Sequence, residues 1–182
     1  MSRNYKFLNQ ENPHFVTFSV INWIDVFTRI SYREILLDSI KHCQINKGLE
    51  VYAWCIMSNH VHMIVGTNKM PMDGILRDLK KHTSKAIVKA IRENPQESRK
   101  NWMIWMFERE GQTNPNNEYH QFWEQDSHPI ELFSNEVMQQ KLDYIHDNPV
   151  RAGWVDRPEH YLYSSARDYA GEKGLLDIIL AI

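Results

Sequence analysis

The chain has 182 residues, of which 42% are hydrophobic and 24% charged, and its net charge at neutral pH is −2. This composition predicts one domain, residues 1–182, with an apolar core, and excludes a disordered chain. A run of about 20 apolar residues, as a membrane span needs, does not occur, and residues 1–12 are too polar for a secretory signal. Cys43 and Cys55 do not suggest a disulfide framework. We therefore expect a cytoplasmic protein with reduced, packed cysteines.

The first predicted elements are a strand, a helix and a hairpin. Residues 14–21 are rich in β-branched and aromatic side chains, which is typical of a strand. Residues 31–47 have apolar side chains at helical spacing, and Gly48 is a natural end for that helix. Residues 51–57 and 60–66 are predicted as strands that a two-residue turn joins into a hairpin.

The second half of the chain adds two helices and one strand. Residues 72–92 form an amphipathic pattern that predicts a long helix, and residues 119–123 are predicted as a fourth strand. Residues 134–147 are predicted as a last helix, which Ser134 caps and Pro149 ends.

The order of the predicted elements is β-α-β-β-α-β, followed by one more helix. This order is typical of a ferredoxin-like α+β fold with an antiparallel sheet. The core then covers about residues 10–150, including the added C-terminal helix that carries Tyr144, and residues 151–182 form a tail.

His60 and His62 lie on the same face of the predicted third strand, because side chains alternate along a strand. Two neighbouring imidazoles can bind one divalent metal ion. Since the rest of this strand is apolar, both rings need a partner. A metal ion would meet that need. Hydrogen bonds to neighbouring groups in the sheet would meet it as well, and the motif leaves both possibilities open.

Tyr144 lies beside the apolar stripe of the last predicted helix, and Asn148 follows one turn later with Lys141 nearby. A phenol is protonated at neutral pH and needs activation to attack a phosphate. A metal ion that polarises the phosphate can help. Taken alone, however, the pattern favours a tyrosine packed at the helix edge and an Asn148 that caps the helix before Pro149.

Positive charge is concentrated in residues 77–100, where eight basic and three acidic residues give a net charge of +5. This segment is compatible with a phosphate contact and equally with a solvated helix face. Arg151, just after the tyrosine helix, is a further candidate for a phosphate contact. The candidate DNA-binding row on the predicted helix consists of Arg77, Lys81, Lys85 and Lys89.

Both motifs belong to a longer combination of segments. Residues 15–18 read Phe-Val-Thr-Phe, residues 53–64 read Ala-Trp-Cys-Ile-Met-Ser-Asn-His-Val-His-Met-Ile, and residues 144–153 read Tyr-Ile-His-Asp-Asn-Pro-Val-Arg-Ala-Gly. With Tyr-Ser-Ser-Ala at residues 163–166, these segments resemble the REP-associated tyrosine transposases. That family is related to the insertion-sequence transposases with an HUH motif, in which U is a bulky apolar residue. The likeness spans about residues 10–170.

The resemblance implies a ferredoxin-like fold and a divalent metal ion, Mg²⁺ or Mn²⁺, held by His60 and His62, without a nucleotide cofactor. It implies that Tyr144 is the nucleophile, forms a 5′-phosphotyrosine link to single-stranded or hairpin DNA and leaves a free 3′-hydroxyl. Asn148 stands where related transposases place a third ligand, often Gln, which is longer by one methylene. Members of the family also tend to be basic, whereas this chain is nearly neutral.

Other functions stay open at this stage. A domesticated regulator would keep the fold and recognise hairpin DNA without cutting it. A metal-dependent phosphodiesterase that uses water would not need Tyr144, and a structural metal protein would unfold on chelation. The sequence does not give the target DNA sequence, the metal ion, or the choice between monomer and homodimer.

Overall fold

The computed structural model describes residues 9–10, 12–113, 119–125 and 129–181. Its strands are β1 (His14–Ser19), β2 (Leu49–Ile56), β3 (His60–Thr67) and β4 (Ile130–Glu131). Its helices are α1 (Ile30–Lys47), α2 (Met72–Glu93), α3 (Lys100–Thr113), α4 (Asn135–Arg151) and α5 (Ala166–Tyr169). Short 3-10 turns cover Ile21–Trp23, Val26–Thr28 and Pro158–His160.

The four strands form one antiparallel sheet in the order β2-β3-β1-β4, which confirms the predicted ferredoxin-like α+β fold. The helix α1 connects β1 to β2, and α2 and α3 lie between β3 and β4. The predicted hairpin is confirmed: the Met57 amide donates to the His60 carbonyl at 2.8 Å. Gly48 ends α1 as predicted, with a φ of 75° that favours glycine.

The strand β1 separates two layers because its side chains alternate between the faces of the sheet. Phe18 points towards α2, where the Lys80 ammonium lies 5.5 Å from its ring. Phe15 points towards α4, where the Lys141 ammonium lies 4.9 Å from its ring. We call these two sides the α2 face and the α4 face of the sheet.

The α2 face carries much of the apolar core. The helix α2 buries one stripe of side chains and packs against α1, as its amphipathic pattern predicts. Burial of each large aliphatic side chain contributes about 1.5–3 kcal/mol to stability. The buried stripe consists of Met72, Ile75, Leu76, Leu79, Thr83, Ile87, Val88 and Ile91.

The prediction of a fourth strand at residues 119–123 is wrong. Of this segment, only Trp123 forms a bridge with Val20, and β4 supplies the fourth strand on the same side of β1. Phe122 and Trp123 are buried in the core, where the indole nitrogen of Trp123 donates to the Thr83 hydroxyl at 3.0 Å. Their strand-like composition therefore reflects burial and not membership of a ladder.

The helix α4 begins as predicted but ends later. Ser134 caps it by accepting a hydrogen bond from the Val137 amide at 3.3 Å. The prediction that Pro149 ends the helix is wrong, since this proline lies inside α4. Because it has no N–H, Pro149 removes one backbone hydrogen bond from the helix. The helix ends at Arg151, and the turn that follows it includes Gly153, whose φ is 71°.

The residues after α4 pack along β2, at the edge of the sheet. The Ile56 amide donates to the Tyr163 carbonyl and the Ile179 amide to the Val51 carbonyl, each at 2.9 Å. The predicted tail of residues 151–182 thus covers this edge in its described part. Among the described residues, no helix has the length and apolarity that crossing a membrane requires.

Candidate active site

Aromatic rings from three elements meet on the α4 face. The ring centroids of His60 and His62, neighbours on β3, are 4.6 Å apart. The helix α4 brings the Tyr144 ring to 5.1 Å from the His62 ring. On the other side, the Trp23 ring lies 5.7 Å from His60. One chain therefore brings the predicted nucleophile next to His62, which in turn adjoins the second predicted metal ligand, His60.

The strand β1 supplies the floor and one polar partner of this row of rings. Thr17 is the cross-strand partner of His62 in the register between β1 and β3. The buried Phe15 ring stacks on His62 at 5.5 Å and meets Tyr144 edge-on at 6.0 Å. The rings of His62 and Tyr144 therefore rest on an apolar surface that limits their movement.

The hydrogen bonds of both imidazoles leave a nitrogen suited to a metal ion. The Nδ1 atom of His62 lies 2.8 Å from the Thr17 hydroxyl, and its Nε2 atom is buried without a hydrogen-bond partner among the described residues. The Nδ1 atom of His60 lies 2.6 Å from the side-chain oxygen Oδ1 of Asn59, to which it donates. In metal-binding histidines, the ring nitrogen that does not bind the metal ion usually makes such a hydrogen bond, which orients the ring. The two residues therefore fit the metal ion that the resemblance implies.

Burial favours the neutral form of both imidazoles. For His62, burial together with electrostatic interactions with His60 and Lys141 lowers the pKa to about 3. Burial also lowers the pKa of His60 from its ordinary value. Because a metal ion binds the neutral imidazole, neither histidine has to lose a proton before it can act as a ligand.

Two cations flank the Tyr144 ring, which is 37% exposed and therefore reachable from solution. The Lys141 ammonium lies 5.8 Å and the Arg151 guanidinium 5.9 Å from its centroid. Arg151 also lies 3.9 Å from the Asp147 carboxylate, a weak ion pair at this exposure. The surroundings of the phenol are thus suited to a phosphate group.

The predicted third ligand is turned towards its own helix. The side-chain nitrogen Nδ2 of Asn148 donates to the backbone carbonyl of Tyr144 at 2.6 Å. In the part of the chain that the structure describes, no group of three His, Cys, Asp or Glu side chains could hold a metal ion. Coordination by Asn148 stays a prediction, and His60 and His62 alone leave the other positions of a metal ion to water and substrate oxygens.

The candidate DNA-binding residues do not all lie together. Arg151 is at the site, whereas the other four lie on α2, on the opposite face of the sheet. Two of them have acidic neighbours, at 3.5 Å between Arg77 and Asp78 and 3.8 Å between Lys89 and Glu93. A role of this row in DNA binding stays a prediction. The exposed residues of the row are Arg77, Lys81, Lys85 and Lys89.

The sequence reasoning missed three residues of the site. Thr17 is a polar residue in a strand of otherwise apolar or aromatic neighbours, and this was the one available signal. Asn59 was assigned only to the hairpin turn, although it adjoins His60. Trp23 follows the predicted first strand and has no pattern that associates it with the histidines.

Comparisons with known proteins identify the family and the fold. A family model described as "Transposase IS200 like" matches residues 9–108, which is more than half of the chain. A solved structure of a REP-associated tyrosine transposase bound to a REP hairpin is similar, with a TM-score of 0.66 and 19% identity over 98% of this chain and 94% of that chain. At this identity, the likeness shows a shared fold. No curated protein matches. On the family match, the chain belongs to the IS200-like transposases.

Proposed function

We propose that this protein cuts and rejoins single-stranded DNA beside a hairpin, with Tyr144 as nucleophile and a divalent metal ion, Mg²⁺ or Mn²⁺, held by His60 and His62. The observation that carries the proposal is the 5.1 Å between the His62 and Tyr144 rings, beside a buried His62 nitrogen without a partner in the described residues. Membership of a transposase family supports it. The REP hairpin in the solved relative supports hairpin DNA as the partner.

The covalent step transfers a phosphodiester from DNA to the protein. The Tyr144 oxygen attacks the scissile phosphorus, the new O–P bond forms, and the bond from phosphorus to the 3′ oxygen breaks. The phenol loses its proton, and the leaving 3′ oxygen gains one, so that one strand ends in a free 3′-hydroxyl. A 3′-hydroxyl of another strand reverses the step and joins the strands. Because the bond energy is conserved, no nucleotide cofactor is needed.

The metal ion has a defined place in this proposal. When bound, it supplies a Lewis acid that draws charge from an oxygen of the phosphate. His60 and His62 would hold it through their Nε2 atoms, while Asn59 and Thr17 fix the orientation of the two rings. Coordination by Asn148 requires this side chain to leave the Tyr144 carbonyl.

Positive side chains complete the surroundings of the reacting groups. Lys141 and Arg151 place positive charge beside Tyr144, where negative charge appears on the phenol oxygen as it loses its proton and then on the phosphate oxygens during attack. One chain holds all of these groups, so the proposal does not require a homodimer, which stays a prediction. The cations of α2 are proposed to contact DNA away from the cut, because they lie across the sheet.

The direct test is covalent capture of DNA. The protein is incubated with Mn²⁺ and a pool of DNA hairpins with randomised single-stranded flanks, and the adduct is resolved on a denaturing gel. We expect an adduct with the wild-type chain and none with Tyr144→Phe, which removes only the nucleophilic oxygen. Tyr52→Phe is the matched control, since its hydroxyl lies on β2 at 3.2 Å from Glu50, and it should keep the adduct.

The alternatives give different results in the same assay. Binding of hairpin DNA without an adduct would favour the regulator that no longer cuts. Cleavage that persists in Tyr144→Phe would favour the water-using phosphodiesterase. Unfolding of the chain by a chelator, followed by circular dichroism, would favour a structural metal protein.

A further inference from the structure

Trp23 lies at the outer end of the row of rings, beside His60. Its side chain is 63% exposed, and its ring meets the His60 ring at an interplanar angle of 70°. An indole that stays this exposed gains little from the hydrophobic effect. Core packing therefore does not account for a tryptophan at this place.

The backbone at Trp23 is held in an unfavourable conformation. Asn22 and Trp23 have φ values of 51° and 55°, and they are the only non-glycine residues with positive φ in the described part of the chain. This left-handed region is costly for side chains with a Cβ, and it persists where surrounding contacts enforce it, often at functional sites. Those contacts exist here: the Asn22 amide side chain donates to Glu110 at 3.2 Å, and its backbone amide to Glu124 at 3.3 Å.

Asn59 connects this strained turn to the metal-ligand candidate. Its side-chain nitrogen donates to the Trp23 carbonyl at 3.2 Å, and its side-chain oxygen accepts from the His60 ring at 2.6 Å. One carboxamide therefore fixes the positions of Trp23 and His60 relative to each other.

We propose that Trp23 is a stacking platform for an unpaired base of the DNA strand that is cut. This inference rests on the proposed function, because the base arrives with the phosphate that His60 and Tyr144 receive. The 5.7 Å between the Trp23 and His60 rings is less than the rise of two stacked nucleotides, about 6.8 Å. The base on Trp23 therefore belongs to a nucleotide close to the scissile phosphate. Stacking on an indole is tolerant of base identity.

The test measures DNA binding without chemistry. A fluorescein-labelled oligothymidylate of twelve nucleotides is titrated with each full-length variant in EDTA at low salt, and fluorescence anisotropy gives the Kd. Trp23→Gly should weaken binding about tenfold, and Trp23→Phe should stay within about threefold of wild type. Glycine suits positive φ, so Trp23→Gly should melt at the wild-type temperature or above it, which separates lost stacking from lost folding.

Trp102→Ala is the matched control, because Trp102 is 50% exposed but lies on α3. Its Kd should stay within about twofold of wild type. A second readout replaces thymidine by 4-thiothymidine and maps the photo-crosslinked peptide, which should contain Trp23 in the wild-type chain.

Each outcome decides between the two proposals or against both. Three outcomes overturn the stacking role: an unchanged Kd in Trp23→Gly, an equal loss of affinity in Trp102→Ala, or a changed oligomeric state with unchanged DNA binding. None of them contradicts adduct formation at Tyr144. An adduct that persists in Tyr144→Phe, together with weakened binding in Trp23→Gly, overturns the nucleophile and keeps the platform. A wild-type chain that binds no oligothymidylate overturns the platform, and one that also forms no adduct with the hairpin pool overturns both proposals.

Discussion

On the α2 face, the Lys80 ammonium lies 5.5 Å from the Phe18 ring and donates to the Glu124 carbonyl at 2.7 Å. On the α4 face, the Lys141 ammonium lies 4.9 Å from the Phe15 ring and 5.8 Å from Tyr144. Both lysines make the same cation–π contact with one strand, β1. They differ in what else they meet: a backbone carbonyl on one face, a phenol on the other.

The histidines of the two faces differ in the same way. His14, which alternation along β1 places on the α2 face, and His62 on the α4 face are each 4% exposed. Burial lowers the pKa of His14, while a backbone hydrogen bond with Asn12 and the charge of Glu131 oppose the shift. The Nε2 atom of His62, by contrast, has no hydrogen-bond partner among the described residues. At equal burial, the two histidines thus differ in how fully their ring nitrogens are satisfied, which supports His62 as the proposed metal ligand.

The largest effect should come from replacing His62, with His14 as its matched control on the α2 face. We expect His62→Gln to slow adduct formation at least about 100-fold, because loss of a metal ligand costs more than loss of a residue that supports one. His14→Gln should leave this rate within about twofold and lower the free energy of unfolding by about 1–3 kcal/mol, since it disturbs buried hydrogen bonds. Adduct kinetics and urea unfolding measure the two quantities. Equal losses of rate in both variants would remove the distinction between the faces.

Much of the fold was predictable because its signals are local. Alternation and helical spacing depend on residues a few positions apart, so β1, the hairpin, α1 and α2 were assigned from sequence. The fourth strand was misplaced because Phe122 and Trp123 have the composition of a strand but serve as core residues. At Pro149, a local rule gave the wrong helix end because this proline lies in the last turn of α4, where few residues remain to be disrupted.

The site was less predictable because its contacts join distant parts of the chain. Alternation on β3 gave the shared face of His60 and His62. The proximity of Tyr144 came only from the resemblance, since no local pattern relates α4 to β3. The hydrogen bond between Thr17 and His62 depends on strand register across 45 positions. Such contacts follow from the assembled sheet and not from any single segment.

The next effect concerns Asn59 and the orientation of His60. Asn59→Ala should weaken Mn²⁺ binding about 10–100-fold, because the His60 ring loses the acceptor that fixes its Nδ1–H. Asn59→Asp keeps an acceptor for His60 but loses the donor to the Trp23 carbonyl. It should retain Mn²⁺ affinity and weaken oligothymidylate binding. Isothermal titration calorimetry without DNA measures the affinity for Mn²⁺. An unchanged Kd for Mn²⁺ in Asn59→Ala would contradict the role of Asn59 in orienting His60.

The smallest effect returns to the two lysines, each replaced by methionine to keep the length of the side chain. We expect Lys141→Met to slow adduct formation about tenfold, because the ammonium no longer stabilises the charge that develops on the phenol and the phosphate. Its free energy of unfolding should change by less than about 0.5 kcal/mol. Adduct kinetics at saturating Mn²⁺ and urea unfolding measure both.

Lys80→Met should give the reverse result. It removes a hydrogen bond to the Glu124 carbonyl and a cation–π contact with Phe18, and should destabilise the fold by about 1–2 kcal/mol. The adduct rate should stay within about twofold, because Lys80 lies across the sheet from Tyr144. If Lys141→Met instead loses stability and keeps its rate, then Lys141 is structural, and charge beside the phenol does not assist the attack. Both lysines would then contribute to stability alone, and the position of Lys141 beside Tyr144 would have no effect on the reaction.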